Sequence, residues 1–128
     1  MTLQLTDEGR TFVTDYHLAT LSTLAADGTI HAVPVGFTLV GTTARIITGG
    51  SSQKVRNIRA RGHATLSQFE GARWLTLIGT GTVLTDPESV AQAVELYAGR
   101  YRQPRVNPER VAILIDVTRW MGSPGLFV

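Results

Sequence analysis

The chain contains no cysteine, so neither a disulfide nor thiolate chemistry is available to it. No apolar run is long enough to cross a membrane, and the first residues lack the basic and apolar regions of a signal peptide. From these absences we expect a cytoplasmic protein that acts without a membrane partner. A length of 128 residues predicts a single domain, residues 1–128, with a sizeable core.

Lysine is nearly absent, because Lys54 is the one lysine and the formal net charge is only +2. The remaining basic residues are arginines, and two groups of them lie close together in the sequence, at positions 56, 59 and 61 and at positions 100, 102 and 105. This charge is too small for general nucleic-acid binding, so we expect no nucleic-acid partner. It is sufficient to hold one anionic small molecule.

An obvious set of catalytic side chains is also missing. The three histidines, at positions 17, 31 and 63, are scattered, have no ligand spacing and have no acidic residue beside them, which argues against a metal site. No nucleophile elbow supports a Ser-His-Asp triad. Trp74 and Phe37 could form a flat wall for an aromatic ligand, although core packing is the commoner use of such residues. This profile is typical of an enzyme whose chemistry is supplied by a bound cofactor.

The segment 47–58 is the most informative part of the chain. It passes from a β-branched strand through Gly49 and Gly50 into two serines and then a short helix with Lys54 in its first turn. Glycines allow a sharp turn and a close approach to a ligand. We expect Ser51 or Ser52 to cap the helix, whose unpaired N–H groups and dipole favour an anion such as phosphate. The spacing is neither a Walker loop nor a dinucleotide fingerprint. The alternative is a serine-capped loop with a solvated basic helix face behind it.

Alternating apolar residues and turn signals predict a mainly β fold. A helix is expected after Thr6, with Phe12, Val13 and Tyr16 on its apolar side, and a second helix after residues 85–88. Strands are expected at 17–24, 29–40, 44–48, 64–69, 73–84 and, as an apolar final strand, 111–117. An Asp-Gly pair at 27–28 predicts the first hairpin turn. These elements indicate a small closed barrel.

Three features of the strands carry more specific expectations. Pro34 cannot donate to a sheet, so it marks an edge or a bulge. Gly36 leaves one face of its strand bare, so we expect a flat group to lie against it. Gly79 and Gly81 on alternate positions predict strong coiling or a close backbone approach in the barrel wall.

The order of these elements resembles that of the flavin/deazaflavin split-barrel family, which includes the pyridoxamine-phosphate oxidases and the deazaflavin-dependent reductases. The likeness covers nearly the whole chain and implies a Greek-key split β-barrel of the FMN-binding type. Finer motifs resemble the biliverdin reductases that use coenzyme F-420, an 8-hydroxy-5-deazaflavin. Those motifs are His17-Leu18-Ala19, Val35-Gly36-Phe37-Thr38, Gly49-Gly50-Ser51-Ser52-Gln53-Lys54, the segment 67–75 and the segment 100–105.

The resemblance implies that F-420 lies in a groove between the two chains of a homodimer. The backbone of Val35, Gly36 and Phe37 would then support the deazaflavin ring. The phosphate and its linker would be held by Gly50, Ser51, Ser52, Gln53, Lys54 and Asn57, with Arg56 adding charge for an oligoglutamate tail. Trp74, Leu75, Tyr101 and Arg102 would come from the partner chain or frame the substrate, and Arg102 and Arg105 would bind substrate propionates.

The reaction implied by the resemblance is hydride transfer from reduced F-420 to a bridging carbon of a tetrapyrrole, most simply biliverdin to bilirubin. For the dimer interface we expect the apolar last strand and the helix that carries Tyr97 and Tyr101. Two alternatives stay open. One is an FMN-dependent oxidase or reductase of the same fold, which the C-terminal residues 120–128 disfavour because they lack the arginine-bearing segment of the oxidases. The other is a non-catalytic carrier of a flavin or tetrapyrrole.

Overall fold

A computed structural model describes residues 2–128, which form seven strands and three helices. The helices are α1 (Asp7–Thr14), α2 (Gln53–Arg61) and α3 (Pro87–Arg100). The strands are β1 (Ala19–Leu24), β2 (Ile30–Val35), β3 (Thr38–Val40), β4 (Thr43–Gly49), β5 (His63–Glu70), β6 (Arg73–Leu84) and β7 (Arg110–Gly122).

All seven strands belong to one antiparallel sheet with the order β2-β1-β5-β6-β7-β4-β3. Its edge strands, β2 and β3, are neighbours in the chain but are not hydrogen-bonded to each other. The expectation of a closed barrel is therefore wrong, and the expectation of a mainly β split barrel is confirmed. The single strand expected at 29–40 is divided in two, because the chain leaves β2 at Gly36 and Phe37 and pairs with β4 from Thr38 onward.

The two long strands β6 and β7 form the centre of the sheet, and their register shifts between Ile78 and Gly79. A Cβ atom on Gly79 would lie 1.9 Å from the carbonyl oxygen of Asp116, and one on Gly81 would lie 3.0 Å from the side chain of Ile58. The predicted close approach at these two glycines is confirmed. The last strand is longer at both ends than the predicted 111–117, and it is not wholly apolar because Asp116 lies exposed on it.

Side chains from the inner face of the sheet form the core, and α2 covers one end of it. Val55 and Ile58 of α2 are buried there, as their spacing predicts. Helix α1 buries Phe12 and Val13, but Tyr16 is 64% exposed because α1 ends at Thr14. The placement of Tyr16 on the buried side of that helix is therefore wrong.

The predicted helix starts and the first turn are confirmed. The Thr6 hydroxyl accepts a hydrogen bond from the Gly9 amide, and the Asp86 carboxylate accepts one from the Ser89 amide, each at 3.0 Å. Gly28 has a φ of 86°, the left-handed conformation that the Asp-Gly turn requires. Within residues 2–128, no helix has the length and apolarity that spanning a membrane would require.

Candidate functional site

A cleft of about 300 Å³ lies where the end of β2, the end of β4, the start of α2 and the loop after α3 meet. Its walls bring Lys54 close to Val35 and Gly36. All three residues are expected from sequence to bind the cofactor. The complete lining is Pro34, Val35, Gly36, Ile47, Thr48, Gly49, Lys54, Tyr97, Pro104, Asn107 and Arg110. A larger cavity of about 500 Å³ between α1 and β3 is mostly apolar, and its one cation, Arg10, is already paired with Asp7.

Lys54 carries a charge that the protein leaves uncompensated. Its side chain is half-buried at the cleft, and no carboxylate within residues 2–128 forms an ion pair with it. Burial lowers the pKa of the Lys54 ammonium below its ordinary value, because desolvation disfavours the charged form. An anion bound in the cleft would compensate the charge of this partly desolvated ammonium.

The N-terminus of α2 offers hydrogen-bond donors beside this charge. Ser52 occupies the N-cap position, but its side chain makes no capping hydrogen bond, so the predicted serine cap is not formed. The Ser52 hydroxyl oxygen is buried and has no partner in the described chain. The amides of Gln53 and Lys54 likewise donate to no acceptor within residues 2–128. Unpaired donors at a helix start, next to an unpaired ammonium, fit a phosphate group.

Gly50 packs against the backbone that leads into β7. Its amide donates to the carbonyl of Glu109 at 2.9 Å, and a Cβ atom would lie 3.0 Å from that same oxygen. The need for glycine at this position therefore comes from the backbone leading into β7. The pairing of Gly49 with Arg110 brings Arg110 and Asn107 to the cleft. Neither residue is predicted from sequence, because only the β4–β7 register places them there.

Three residues of α2 form a chain of hydrogen bonds behind the cleft. Arg56 donates to the carbonyl of Ser51 and, at 2.6 Å, to the side-chain oxygen of Gln53. Gln53 donates to Asn57 at 2.7 Å, and Asn57 donates to the Thr23 hydroxyl at 3.0 Å. Asn57 is only 1% exposed, so it can orient Gln53 but offers a ligand no accessible atom.

The flat group that lies against Gly36 belongs to the protein itself. A Cβ atom on Gly36 would come within 2.9 Å of the rings of both Tyr97 and Tyr101. The flat group expected against Gly36 is therefore present, and it consists of the protein's own tyrosine rings. The Phe37 side chain is fully buried, so it forms no ligand wall with Trp74, and only the backbone of residues 35–37 remains for contact.

The end of α3 supplies hydrogen bonds to this same backbone. The Tyr101 hydroxyl accepts from the Phe37 amide at 3.1 Å and donates to the His17 carbonyl at 2.7 Å. Arg100 donates to the Phe37 carbonyl at 2.6 Å. Burial raises the pKa of the Tyr101 hydroxyl, which keeps it protonated as a donor.

Arg100 is fully engaged by the protein. Its other two guanidinium nitrogens donate to the Asp15 carbonyl at 2.9 Å and to the buried Gln68 side chain at 2.8 Å. Burial lowers the pKa of its guanidinium, while Tyr101 and Asp15 act in the opposite direction. The expectation that the arginine cluster at 100–105 grips a ligand therefore fails for Arg100. Arg102 and Arg105 are exposed in the following loop.

Trp74 and Leu75 lie outside the cleft of their own chain. Leu75 is fully buried in the core, whereas Trp74 is 39% exposed and pairs with Phe69 across the β5–β6 hairpin. A contact between Trp74 and a ligand in the cleft would therefore require a second copy of the chain.

The expectation that the histidines have no acidic partner is wrong for one of them. The His17 ring nitrogen Nε2 lies 2.9 Å from a carboxylate oxygen of Glu70, so His17 does have an acidic partner. The sequence hides this pair because β1 and β5 bring together residues far apart in the chain. Within residues 2–128, no three His, Asp or Glu side chains are grouped so that they could hold a metal ion.

Comparison with known proteins agrees with this geometry. The family model described as pyridoxamine 5'-phosphate oxidase matches residues 5–123. A relative from Mycobacterium tuberculosis (strain CDC 1551 / Oshkosh), the F420H(2)-dependent biliverdin reductase, is 47% identical over 127 residues, which cover 98% of this chain and 93% of the relative.

Two solved structures illustrate the shared fold. An F420 reductase is 25% identical with a TM-score of 0.74, covering 88% of this chain and 94% of that chain. A protein from Listeria innocua, titled a putative pyridoxamine 5'-phosphate oxidase, is 18% identical with a TM-score of 0.74, covering 91% and 95%.

The sheet with its open edge between β2 and β3, and the cleft beside the start of α2, define a split barrel. The chain belongs to the pyridoxamine 5'-phosphate oxidase family. Within that family its sequence is similar to an F420H(2)-dependent biliverdin reductase, so the resemblance inferred from the sequence motifs is confirmed.

Proposed function

We propose that this protein is a coenzyme F-420-dependent reductase that binds the cofactor phosphate at the start of α2 and the deazaflavin ring along residues 35–37. The observation that carries the proposal is the uncompensated Lys54 beside the unpaired donors of the α2 N-terminus. The 47% identity to a reductase named for this cofactor supports the same choice.

At the phosphate end, each donor has a distinct role. The amides of Gln53 and Lys54 and the Ser52 hydroxyl would provide directional hydrogen bonds, and the Lys54 ammonium would provide charge. Arg110 and Asn107 also line the cleft. Arg56 points back to Ser51 and Gln53, so it would stabilise the loop and add charge for the more distant glutamate tail.

At the ring end, the protein offers backbone and fixed geometry. When bound, F-420 supplies a hydride to an electron-poor carbon of the substrate. The chain itself holds the 35–37 backbone in place through Tyr101 and Arg100. Solvent would provide the proton that completes the reduction.

The proposed substrate is a conjugated tetrapyrrole, biliverdin, which would be reduced to bilirubin. The similarity to a biliverdin reductase supports this choice. Arg102 and Arg105 are exposed in the loop after α3, close in sequence to Pro104 at the cleft, and neither forms an ion pair within residues 2–128. They would bind the two propionates of the substrate.

The proposal includes a homodimer, in which a second copy brings Trp74 to the cleft. The sheet face that carries Phe69, Trp74 and Met121, exposed by 72%, 39% and 43%, is a suitable interface because apolar side chains cluster on adjacent strands there. This location revises the interface expected from sequence. Met121 belongs to the last strand as expected, but the Tyr97 and Tyr101 rings already pack on their own Gly36.

Titration of the purified protein with F-420 and with FMN, followed by turnover of biliverdin with reduced F-420, tests the proposal. We expect saturable binding of F-420, weak or no binding of FMN, and a product absorbance that matches bilirubin. Tight FMN binding with no response to F-420 would replace this proposal by the flavin-dependent alternative. If the protein binds F-420 but turns over no tetrapyrrole, the cofactor assignment stands and the proposed substrate class is refuted.

A charge on the sheet face tests the dimer separately. Phe69→Glu should shift sedimentation from dimer to monomer and weaken F-420 binding in the same concentration range, because an isolated charge is not tolerated in an apolar interface. Ile30→Glu, which also replaces an exposed apolar residue (65%), but on edge strand β2, is the matched control. A monomeric parent protein that binds F-420 tightly would refute the dimer.

A further inference from the structure

Phe37 lies at a break in the sheet, where its backbone has no ladder partner. It lies between β2 and β3, the two edge strands, and forms no ladder pair with either neighbour. A buried peptide group without a partner is costly, so a hydrogen bond must come from elsewhere. Both backbone groups of Phe37 are satisfied by the end of α3, since Tyr101 accepts from its amide and Arg100 donates to its carbonyl.

The Tyr101 hydroxyl also ties this peptide to a second segment. It donates to the carbonyl of His17, just before β1, at 2.7 Å, while it accepts from Phe37 at 3.1 Å. Its ring meanwhile lies against Gly36, where a Cβ atom would come within 2.9 Å of a ring carbon, so only glycine allows this packing. One side chain therefore sets the position of residues 36–37 in two ways, by hydrogen bonding and by contact.

We propose that Tyr101 is a positioning residue for the cofactor ring, acting through the 35–37 backbone and not by touching the substrate. The hydroxyl donates its one proton to the His17 carbonyl and accepts a hydrogen bond from the Phe37 amide. Both of these hydrogen bonds are made within the protein and not to a ligand. This assignment replaces the substrate-binding role expected for Tyr101 from sequence. It rests on the proposed F-420 site, because residues 35–37 matter to the ring only if the ring binds there.

The variant Tyr101→Phe isolates the hydroxyl, because the ring that packs on Gly36 is kept. Two probes separate the ends of the cleft: intact F-420, and its 8-hydroxy-5-deazaflavin chromophore without the phosphate. We expect Tyr101→Phe to weaken both probes by the same factor, roughly three- to tenfold, since one hydrogen-bonded bridge is lost. Lys54→Ala should weaken only intact F-420. Tyr16→Phe is the matched control, because the Tyr16 hydroxyl makes no hydrogen bond within residues 2–128 and the residue is 64% exposed.

Two further readouts separate positioning from general stability. Melting of the ligand-free proteins gives the loss of stability, and amide hydrogen exchange at Phe37 reports the bridge without any cofactor. We expect faster exchange at Phe37 in Tyr101→Phe and unchanged exchange in Tyr16→Phe. A lowered melting temperature of Tyr101→Phe with unchanged affinity for both probes would show that Tyr101 has a purely structural role, and it would overturn the proposal. Unchanged amide exchange at Phe37 would also overturn it.

The outcome for the parent protein is diagnostic on its own. If the parent binds neither probe, the F-420 site is wrong and the positioning role falls with it. If the parent binds both probes and Tyr101→Phe binds them equally well, the F-420 site stands and only the role of Tyr101 is refuted.

Discussion

Removing the one lysine of the chain is the most direct test of the proposed phosphate site. The Lys54 side chain lines the cleft, has no carboxylate partner in the described chain and has a pKa lowered by burial. Lys54→Ala therefore leaves no buried anion unpaired behind it. Any change in cofactor affinity then reports the contact between the ammonium and the ligand.

The expected loss follows from the energy of a charge-assisted hydrogen bond. Such contacts contribute roughly 1.5–3 kcal/mol, so the dissociation constant of F-420 should rise by about ten- to a hundredfold. The phosphate is far from the reacting carbon of the ring, so kcat at saturating cofactor should change little, as expected for uniform binding energy. Added salt should weaken binding in the parent more than in the variant.

The same contact gives a pH dependence with a definite sign. Burial lowers the pKa of Lys54 in the ligand-free protein, so the ammonium is present below that lowered pKa and is lost as pH rises through it. Affinity for F-420 should therefore fall toward alkaline pH, and it should begin to fall at a lower pH than an exposed lysine would give. The fall should be absent in Lys54→Ala.

Fluorescence titration of F-420 at two salt concentrations and across alkaline pH measures all three effects. Arg59→Ala is the matched control, because Arg59 is an exposed cation on the same helix that does not line the cleft. Equal dissociation constants for the parent and Lys54→Ala would show that the phosphate binds elsewhere. Equal losses in Lys54→Ala and Arg59→Ala would show that only the overall charge of α2 matters.

Three other changes have definite expected results. Gly79→Ala should destabilise the fold by about 3 kcal/mol or more in urea unfolding, because its Cβ would lie 1.9 Å from the Asp116 carbonyl oxygen. Gly99→Ala is the control, because a Cβ atom there meets no atom within 4 Å and the residue lies in α3. It should be neutral or stabilise the fold by up to about 1 kcal/mol. Asn57→Ala should cost roughly 1–3 kcal/mol because it removes the buried bond to Thr23, and it should weaken F-420 binding less than Lys54→Ala does, as titration would show. Dialysis against a strong chelator should leave turnover unchanged, and a loss of activity that zinc or iron restores would contradict this.

Local pattern was enough to predict most of the fold. The Asp-Gly turn, the capping residues Thr6 and Asp86 and the alternation along β6 each act within a few residues, so the sequence shows them directly. The division of the strand expected at 29–40 was not predictable in this way. Alternation continues through Gly36 and Phe37, and the break arises only because β2 and β3 pair with different strands.

The site was predictable to the same limit. Lys54 and the glycine and serine residues before α2 form one continuous segment, so an anion site could be proposed there from residue order alone. Arg110 reaches the cleft through the register of β4 with β7, and Arg100 is withdrawn from it by bonds to Asp15, Phe37 and Gln68. Contacts of this kind join residues far apart in the sequence, and single-sequence patterns carry no information about them.

The open edge of the sheet explains why the cleft lies where it does. In an uninterrupted strand, the peptide groups of residues 36–37 would form ladder hydrogen bonds with a neighbouring strand. Because the barrel is split, α3 must supply those hydrogen bonds, and its rings cover one side of Gly36. The same opening brings the end of β2 beside the end of β4 and the start of α2, where unpaired donors and an uncompensated ammonium remain. At the proposed site, a flat ring with a phosphate tail would therefore find rigid backbone at one end of the cleft and charge at the other.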